Sequence, residues 1–528
     1  MPQPVTVRVV ASHDTMGAMT EREFDVVVLG GGAVGENAAD RASRTGLSVA
    51  LVEEALVGGE CSYWACMPSK ALLRPGDVVQ QARETPGVGD VGALDVHAVL
   101  ARRDEVTHHW DDTGQVEWAE GAGLTVLRGH ARFTGPRALR LEQVDGELDL
   151  RARHAVVVAT GSTAVVPPVP GLADVRPWTS REATSAHEVP ERLAVIGGGV
   201  VAVEMATAYA DLGSAVTVLV RSERLLERAE PFAGVAVSRA LAQRGVRVVL
   251  GAEVTSAVRE PGGVQLVVRH HHLEGVRTRD GSSGTRPEDL IVDEVLVATG
   301  RRPNTGDLGL ESIGLEPGRP VAVDDGLQAL GVDGGWLFAV GDVSGRTGTT
   351  HQGKYDARVC GDVIAARFDP GSGSDTPGAE PTGGSVPRGL SRSGEQAAQP
   401  WSRYRATADD AAVPQVVFCR PQVAWVGLTE AQARHSGLDV QVYGYDLENL
   451  AGATVTSPEY SGRAQIVVDT SRDVIVGATF LGPDVGEMLH AATIAVVGEV
   501  PLARLWHAVP SYPTVSEVWL RLLEAAGL

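Results

Sequence analysis

Two stretches of this chain repeat one pattern of apolar and glycine-rich positions. Phe24-Asp-Val-Val-Val-Leu29 is a β-branched run of the kind buried on both faces of a parallel sheet, and it leads directly into Gly30-Gly-Gly32-Ala-Val-Gly35. A helix is predicted from Glu36 to Arg44, then a second strand, Ser48-Val-Ala-Leu-Val52, ending at Glu53. The unit recurs where Leu193–Ile196 runs into Gly197-Gly-Gly199-Val-Val-Ala202, with a predicted helix over Val203–Leu212 and a strand over Ala215–Val220. Apolar strands also reach glycine turns at Val156-Val-Val-Ala-Thr-Gly161 and Val295-Leu-Val-Ala-Thr-Gly300, and Leu337-Phe-Ala-Val-Gly341-Asp342 ends on an acid. Strands and helices alternating in this order predict an α/β fold.

A glycine turn between a strand and a helix lets backbone N–H groups approach a pyrophosphate at the helix N-terminus. Gly30, Gly32 and Gly35 fit that use, and so do Gly197, Gly199 and Ala202. Glu53, at the end of the second strand, is placed to accept from an adenosine ribose. Counted from the first glycine, its counterpart in the second unit is Val220, followed by Arg221. A missing acid beside an arginine suits a 2′-phosphate, so NADPH is preferred over NADH. Glu223 and Glu227, interleaved with Arg224 and Arg228, leave a mixed solvated face as the alternative. Two nucleotide sites in one chain point to a flavin and a nicotinamide cofactor working together, with Gly161, Gly300, Gly341 and Asp342 as further contacts.

Composition narrows the class. The 528 residues carry 46 basic and 67 acidic side chains, a net charge of −21 that repels nucleic acid and anionic membranes. No apolar run reaches the roughly 18 residues a membrane span needs, and the N-terminus lacks a signal-peptide pattern. A cytoplasmic protein is expected, with residues 1–22 a loose extension and Met19 an equally suitable start. Asp369 to Asp410 is rich in Gly, Ser, Pro and Ala without periodicity, and reads as a flexible insertion. His270-His-His272 lies in a polar stretch and reads as a hairpin loop rather than a metal tract.

Four cysteines, Cys61, Cys66, Cys360 and Cys419, are too few for a disulfide scaffold in a chain this long. Cys61 and Cys66 lie in Gly58-Gly-Glu-Cys61-Ser-Tyr-Trp-Ala-Cys66-Met-Pro-Ser-Lys70, just past the first fingerprint. On an ideal helix their Cα atoms would be roughly 8.7 Å apart, too far for a bridge, so pairing requires a distorted turn. No second pair of cysteines or histidines with zinc spacing lies nearby, so no metal site is expected. Two buried unpaired thiols remain an alternative, but the setting favours redox chemistry. Cys360 and Cys419 read as small buried residues.

The combination and order of these motifs, with Gly197 to Glu204 and a C-terminal Pro513-Thr-Val-Ser-Glu517, resemble the FAD-dependent pyridine nucleotide-disulfide oxidoreductases of the glutathione reductase, dihydrolipoamide dehydrogenase and mercuric reductase type. The resemblance runs from about Phe24 to the C-terminus, the insertion apart. It implies two Rossmann-like dinucleotide-binding domains and a C-terminal α+β dimerisation domain: an FAD-binding and central domain (23–165 and 300–368), an NAD(P) domain (166–299) and a dimerisation domain (411–528). It implies FAD on the first unit, with Glu53 at the adenosine ribose and Asp342 at the ribityl chain, and NADPH or NADH on the second. It further implies that Cys66 contacts the flavin, that Cys61 exchanges with the acceptor, that Lys70 and Glu204 pair near the flavin ring, and that a homodimer completes the site.

The departures bear on the acceptor. Where family disulfide reductases carry a histidine base paired with the glutamate, this chain has Tyr512 with Glu517, and tyrosine, with a solution pKa near 10, is a poor base at neutral pH. Mercuric reductases share that tyrosine but use a further cysteine pair at the extreme C-terminus, which Leu-Leu-Glu-Ala-Ala-Gly-Leu528 lacks. His507 is the alternative base, or a structural residue beside Trp506. Tyr63 and Trp64, between the cysteines, either shape the acceptor pocket or pack against FAD. Val200 stands where some members have an aromatic gate. The leading expectation is an NAD(P)H-dependent reductase of a small disulfide-type acceptor. The alternatives are a quinone-type dehydrogenase served directly by the flavin, a dihydrolipoamide dehydrogenase, which Val220 and Tyr512 disfavour, and a flavoprotein sensor or binding partner without turnover.

Overall fold

The structure, a computed structural model, describes residues 20–270, 288–368, 399 and 401–528. Residues 1–19 of the N-terminal extension, His271 and His272, and most of the 369–410 insertion lie outside the described residues. β1 (Thr20–Leu29) and β2 (Val49–Glu53) pair in parallel through α1 (Ala33–Ser43). α1 starts three residues before the predicted Glu36 because Gly32 caps it, its carbonyl accepting from the Glu36 N–H at 3.0 Å. α2 (Gly59–Tyr63) and α3 (Cys66–Glu84) follow. β3 (Thr125–Arg128) extends the parallel edge, and β4 (His130–Gly135), β5 (Ala138–Gln143) and β6 (Gly146–Val158) form an antiparallel meander. The sheet order is β3-β2-β1-β6-β5-β4. Val26 and Val28 face a core shared with Ala38 of α1, while Val27 and Leu29 face one containing Phe133, Leu141 and Trp336. Burial on both faces is why the strand reads as an unbroken apolar run.

The second unit repeats the plan. β7 (Arg192–Ile196), α4 (Val200–Asp211), β8 (Ala215–Val220) and β9 (Arg247–Leu250) build a parallel sheet. β10 (Ala252–Glu260), β11 (Gly263–His270) and β12 (Glu288–Val292) form an antiparallel sheet, and β13 (Glu294–Val297) returns beside β7. Gly199 caps α4, whose carbonyl receives the Val203 N–H at 3.0 Å, so this helix too begins three residues early. His270 ends β11 and its ring lies 3.2 Å from the Glu288 carboxylate; among the described residues no cluster of metal ligands forms.

The chain passes between the units along two neighbouring antiparallel strands, Ser162–Ala164 and Arg301–Pro303, with Ala164 opposite Arg301. β14 (Leu337–Ala339) then joins β6 in parallel, and α5 (Thr350–Phe368) packs on α1. Residues 403–410, grouped by composition with the insertion, are packed. Ala406 is fully buried, and Arg403, Arg405 and Asp409 pair with Asp362, Asp325 and Arg346 at 2.6, 2.6 and 2.7 Å. Charged side chains set among small residues find partners that composition does not reveal. A five-stranded antiparallel sheet completes the chain, with β15 (Gln415–Val417), β16 (Gln422–Gly427), β17 (Val440–Asp446), β18 (Arg463–Asp469) and β19 (Val474–Gly482) in the order β15-β16-β19-β18-β17. One apolar core crosses all three regions, joining Leu72 and Leu73 of α3, Val203 and Ala206 of α4, and Val417 and Cys419. Among the described residues no helix is long and apolar enough to cross a membrane.

Candidate functional site

The helix carrying the cysteines is interrupted between them. α2 ends at Tyr63, Trp64 and Ala65 leave helical space, and α3 restarts at Cys66. The pair therefore does not have the ideal-helix spacing that would keep two such cysteines too far apart for a bridge. Both carry free thiols, and both touch one hydroxyl: Thr350 Oγ1 lies 3.3 Å from Cys61 Sγ and 3.4 Å from Cys66 Sγ. Thr350 opens α5 and Cys66 opens α3, so two helix N-termini aim at the pair, a setting that favours a thiolate.

The two thiols are unequal. A hydrogen bond from Cys61 holds the Cys66 thiol down at about 6, with help from Thr350 and the nearby Lys70 charge, against the opposing effect of burial. The same hydrogen bond, together with burial, pushes Cys61 upward. Iodoacetamide should therefore alkylate reduced Cys66 with a rate that rises through pH 6 and is level by pH 8, while Cys61 reacts appreciably only at alkaline pH. Peptide mass spectrometry across that range checks it, and equal pH profiles for the two would reject the asymmetry.

Lys70, one turn into α3, reaches across to α4. Its Nζ lies 2.8 Å from Glu204 Oε2, and the Phe418 N–H donates to Oε1 at 3.0 Å. Glu204 is buried, so both its oxygens are satisfied by groups from other parts of the fold, and Lys70 also sits 4.7 Å over the Phe418 ring. Thr350 and Phe418 were not singled out from the sequence. Their signals, a threonine pair opening a helix and an aromatic before Cys419, are too common to stand out.

The glycine turns have the form expected between a parallel strand and a helix. Gly30 has φ +100°, and a Cβ there would collide with the Ala159 carbonyl. The Gly31 N–H donates to Glu53 Oε2 at 2.7 Å. Gly198 stands against Val220 as Gly31 stands against Glu53, so Val220 is the spatial counterpart of that acid as well as the counted one. Gly35 and Ala202 are buried within α1 and α4. Gly199, Gly161 and Gly300 face open space on the side where a Cβ would lie, and the nearest atom to such a Cβ at Gly32 is 3.8 Å away. Asp342 Oδ2 accepts from Ser162 Oγ at 2.5 Å, Arg301 donates to the same hydroxyl at 2.7 Å, and Arg301 also pairs with Glu60 beside Cys61. Around this turn, Thr347 Oγ1, Thr349 Oγ1, Gln352 Nε2 and Glu36 Oε1 are buried without a protein partner. Orphaned polar atoms beside glycine turns fit a polar dinucleotide such as FAD.

Two predicted residues stay apart. Tyr512 is 76% exposed, and Glu517 is buried and held by Arg521 at 2.5 Å. Among the described residues of this one chain, neither has a bond to Cys61 or Cys66. His507 is also exposed, on the same C-terminal segment.

Comparison with known proteins agrees with the geometry. The pattern described as "Pyridine nucleotide-disulphide oxidoreductase" matches residues 24–357, and that family's dimerisation domain matches residues 413–523. A mercuric reductase of Shigella flexneri is 32% identical, covering 93% of this chain and 79% of its own. A dihydrolipoyl dehydrogenase of Chlorobaculum tepidum is 31% identical, covering 96% of each. Among solved structures, the Cu(II) complex of the HOCl-induced flavoprotein disulfide reductase RclA from Escherichia coli superposes with a TM-score of 0.75 at 25% identity, over 95% of this chain and 99% of that one.

Proposed function

The chain belongs to the pyridine nucleotide-disulphide oxidoreductases, FAD- and pyridine-nucleotide-dependent enzymes, and from that premise we propose that it is a cytoplasmic, homodimeric NADPH-dependent reductase of a small disulfide-type acceptor. The observation that carries this reading is the convergence of both thiols on Thr350, beside the Lys70–Glu204 pair. Bound FAD would supply the acceptance of hydride from the nicotinamide and the return of the electron pair to the cysteines. Gly30, Gly32, Gly35, Glu53, Gly161, Gly341 and Asp342 would hold it, while Gly197, Gly199, Ala202, Arg221 and Gly300 would hold the nicotinamide coenzyme. Cys66, at a helix start and near a cation, keeps the thiolate. Cys61 holds the proton between the two sulfurs and is the thiol that exchanges with the acceptor, so its deprotonation is the demanding step. Tyr512 and Glu517 would act in the partner subunit's site, Tyr512 as a hydrogen-bond donor.

Anaerobic addition of NADPH to the purified enzyme should produce a long-wavelength thiolate-to-flavin absorption band, lost as pH falls through about 6, where Cys66 takes up its proton. Absence of the band at pH 8 would sink the role given to Cys66.

Arg221, exposed at the end of β8, is the residue proposed to select the 2′-phosphate. Arg221→Ala should lower the NADPH-to-NADH ratio of kcat/KM roughly tenfold, the loss of one charge-assisted hydrogen bond. An unchanged ratio in steady-state assays would remove Arg221 as the selecting residue. One observation favours a second acceptor class: the position of the family's base is held by Tyr512, a poor base at neutral pH. A quinone-type acceptor, taking electrons from the flavin itself, needs none.

A further inference from the structure

The two backbone carbonyls at the break between the cysteines are both held by side chains from distant elements. In an unbroken helix the Tyr63 carbonyl would accept from Met67, and the Trp64 carbonyl would face Pro68, which has no N–H and whose ring clashes there. The chain instead turns at Trp64 (φ −139°, ψ 6°) and Ala65 (φ −139°, ψ −94°). Trp110 Nε1 donates to the Tyr63 carbonyl at 3.1 Å, and Thr184 Oγ1 shares its one proton between the Trp64 carbonyl and the Ser180 carbonyl of its own helix, each at 2.9 Å. Helix-end carbonyls need such partners when they are removed from water.

Both supports are themselves built in. Trp110 ends a turn in which three consecutive non-glycine residues, His108, His109 and Trp110, have φ of 50°, 54° and 57°, a left-handed conformation that costs energy at every L residue. The strain delivers the indole N–H to the break. Arg103, fully buried, lies 5.3 Å from the Trp110 ring and donates to the Thr184 and Ala186 carbonyls at 2.5 and 2.9 Å. One guanidinium thus fixes both donors.

We propose that Trp110 and Thr184 are positioning residues that hold the break open, keep Cys61 and Cys66 within bridging reach, and so favour the disulfide over the dithiol. The proposal rests on the redox reading of the pair given above. When a bridge forms, Cys61 and Cys66 together lose two electrons and two protons; with glutathione disulfide as oxidant, these reduce its S–S bond to two thiols.

The test equilibrates anaerobic holoenzyme with mixtures of reduced and oxidised glutathione, traps free thiols by alkylation and measures the bridged fraction by mass spectrometry. Trp110→Phe, which keeps an aromatic ring and loses the N–H, and Thr184→Val, which keeps the shape and loses the hydroxyl, should each shift the equilibrium about tenfold toward dithiol, about 30 mV for a two-electron couple. Thr184→Ser should restore the wild-type constant. If Trp110→Phe does not fold, the Thr184→Val and Thr184→Ser pair decides. Folded variants bridging with the wild-type constant would overturn the positioning role alone. A wild-type pair that never bridges would overturn the redox reading and this proposal together.

Discussion

Cys61→Ser should lower turnover with a disulfide acceptor by on the order of 10³-fold or more, as loss of an attacking nucleophile does, while NADPH still bleaches the bound flavin. Serine preserves the volume and the approach of Thr350, so the substitution removes the sulfur and little else. A hydroxyl at this site is neutral across the accessible pH range and forms no mixed disulfide. The same variant separates the two acceptor classes. Quinone turnover should survive nearly intact if electrons leave from the flavin, and should fall in parallel if they leave through the cysteines. Disulfide turnover retained in Cys61→Ser would reject the reductase reading outright. A flavoprotein without turnover is removed by multiple catalytic cycles of the wild type with any acceptor.

Lys70→Met is expected to weaken both the fold and the thiolate. The Glu204 side chain is 4% exposed and Lys70's is 35%, so the variant strands a buried carboxylate with Phe418 N–H as its remaining donor. Breaking a buried pair from one side costs about 3–5 kcal/mol; partial exposure of the lysine screens the pair and brings the cost below that range, to about 2–3 kcal/mol. Thermal unfolding should move down by several degrees. Lys70 is also one of the charges holding Cys66 low, so the alkylation midpoint of Cys66 should move up in pH. The double variant Lys70→Met/Glu204→Leu removes the stranded charge and should recover stability. It also removes a carboxylate that raises the Cys66 thiol, so the midpoint should fall back part of the way. Single-variant stability equal to wild type would show the pair to be solvated.

How much of this could be read from the chain depends on how far apart the partners lie. Strands, glycine turns and the acid at Glu53 are local patterns, and the two units appear where those patterns place them. Both helices start three residues before their apolar pattern predicts, because a glycine that looks like part of a turn also caps the next helix. Thr350 contacts cysteines 284 and 289 positions away, and Phe418 meets Glu204 across 214; no periodicity spans such gaps. The packed residues 403–410 were hidden by composition, since a segment rich in small residues gives no sign that its few arginines meet acids on α5 and its neighbours. Tyr512 and Glu517 are legible by their order near the C-terminus, but a motif's order does not reveal that one is exposed and the other is held by Arg521.

The paired strands Ser162–Ala164 and Arg301–Pro303 carry a consequence for how such a protein diversifies. With Ala164 directly opposite Arg301, the chain leaves and re-enters the first unit through one doorway, so everything between is a loop whose two ends already touch. A graft at that doorway would exchange the second glycine-turn unit as one piece, its two ends already in register. It carries at least two obligations, a carboxylate at the place of Glu204 and a hydroxyl at the place of Thr184. The second unit is thereby a separable inheritance within one chain.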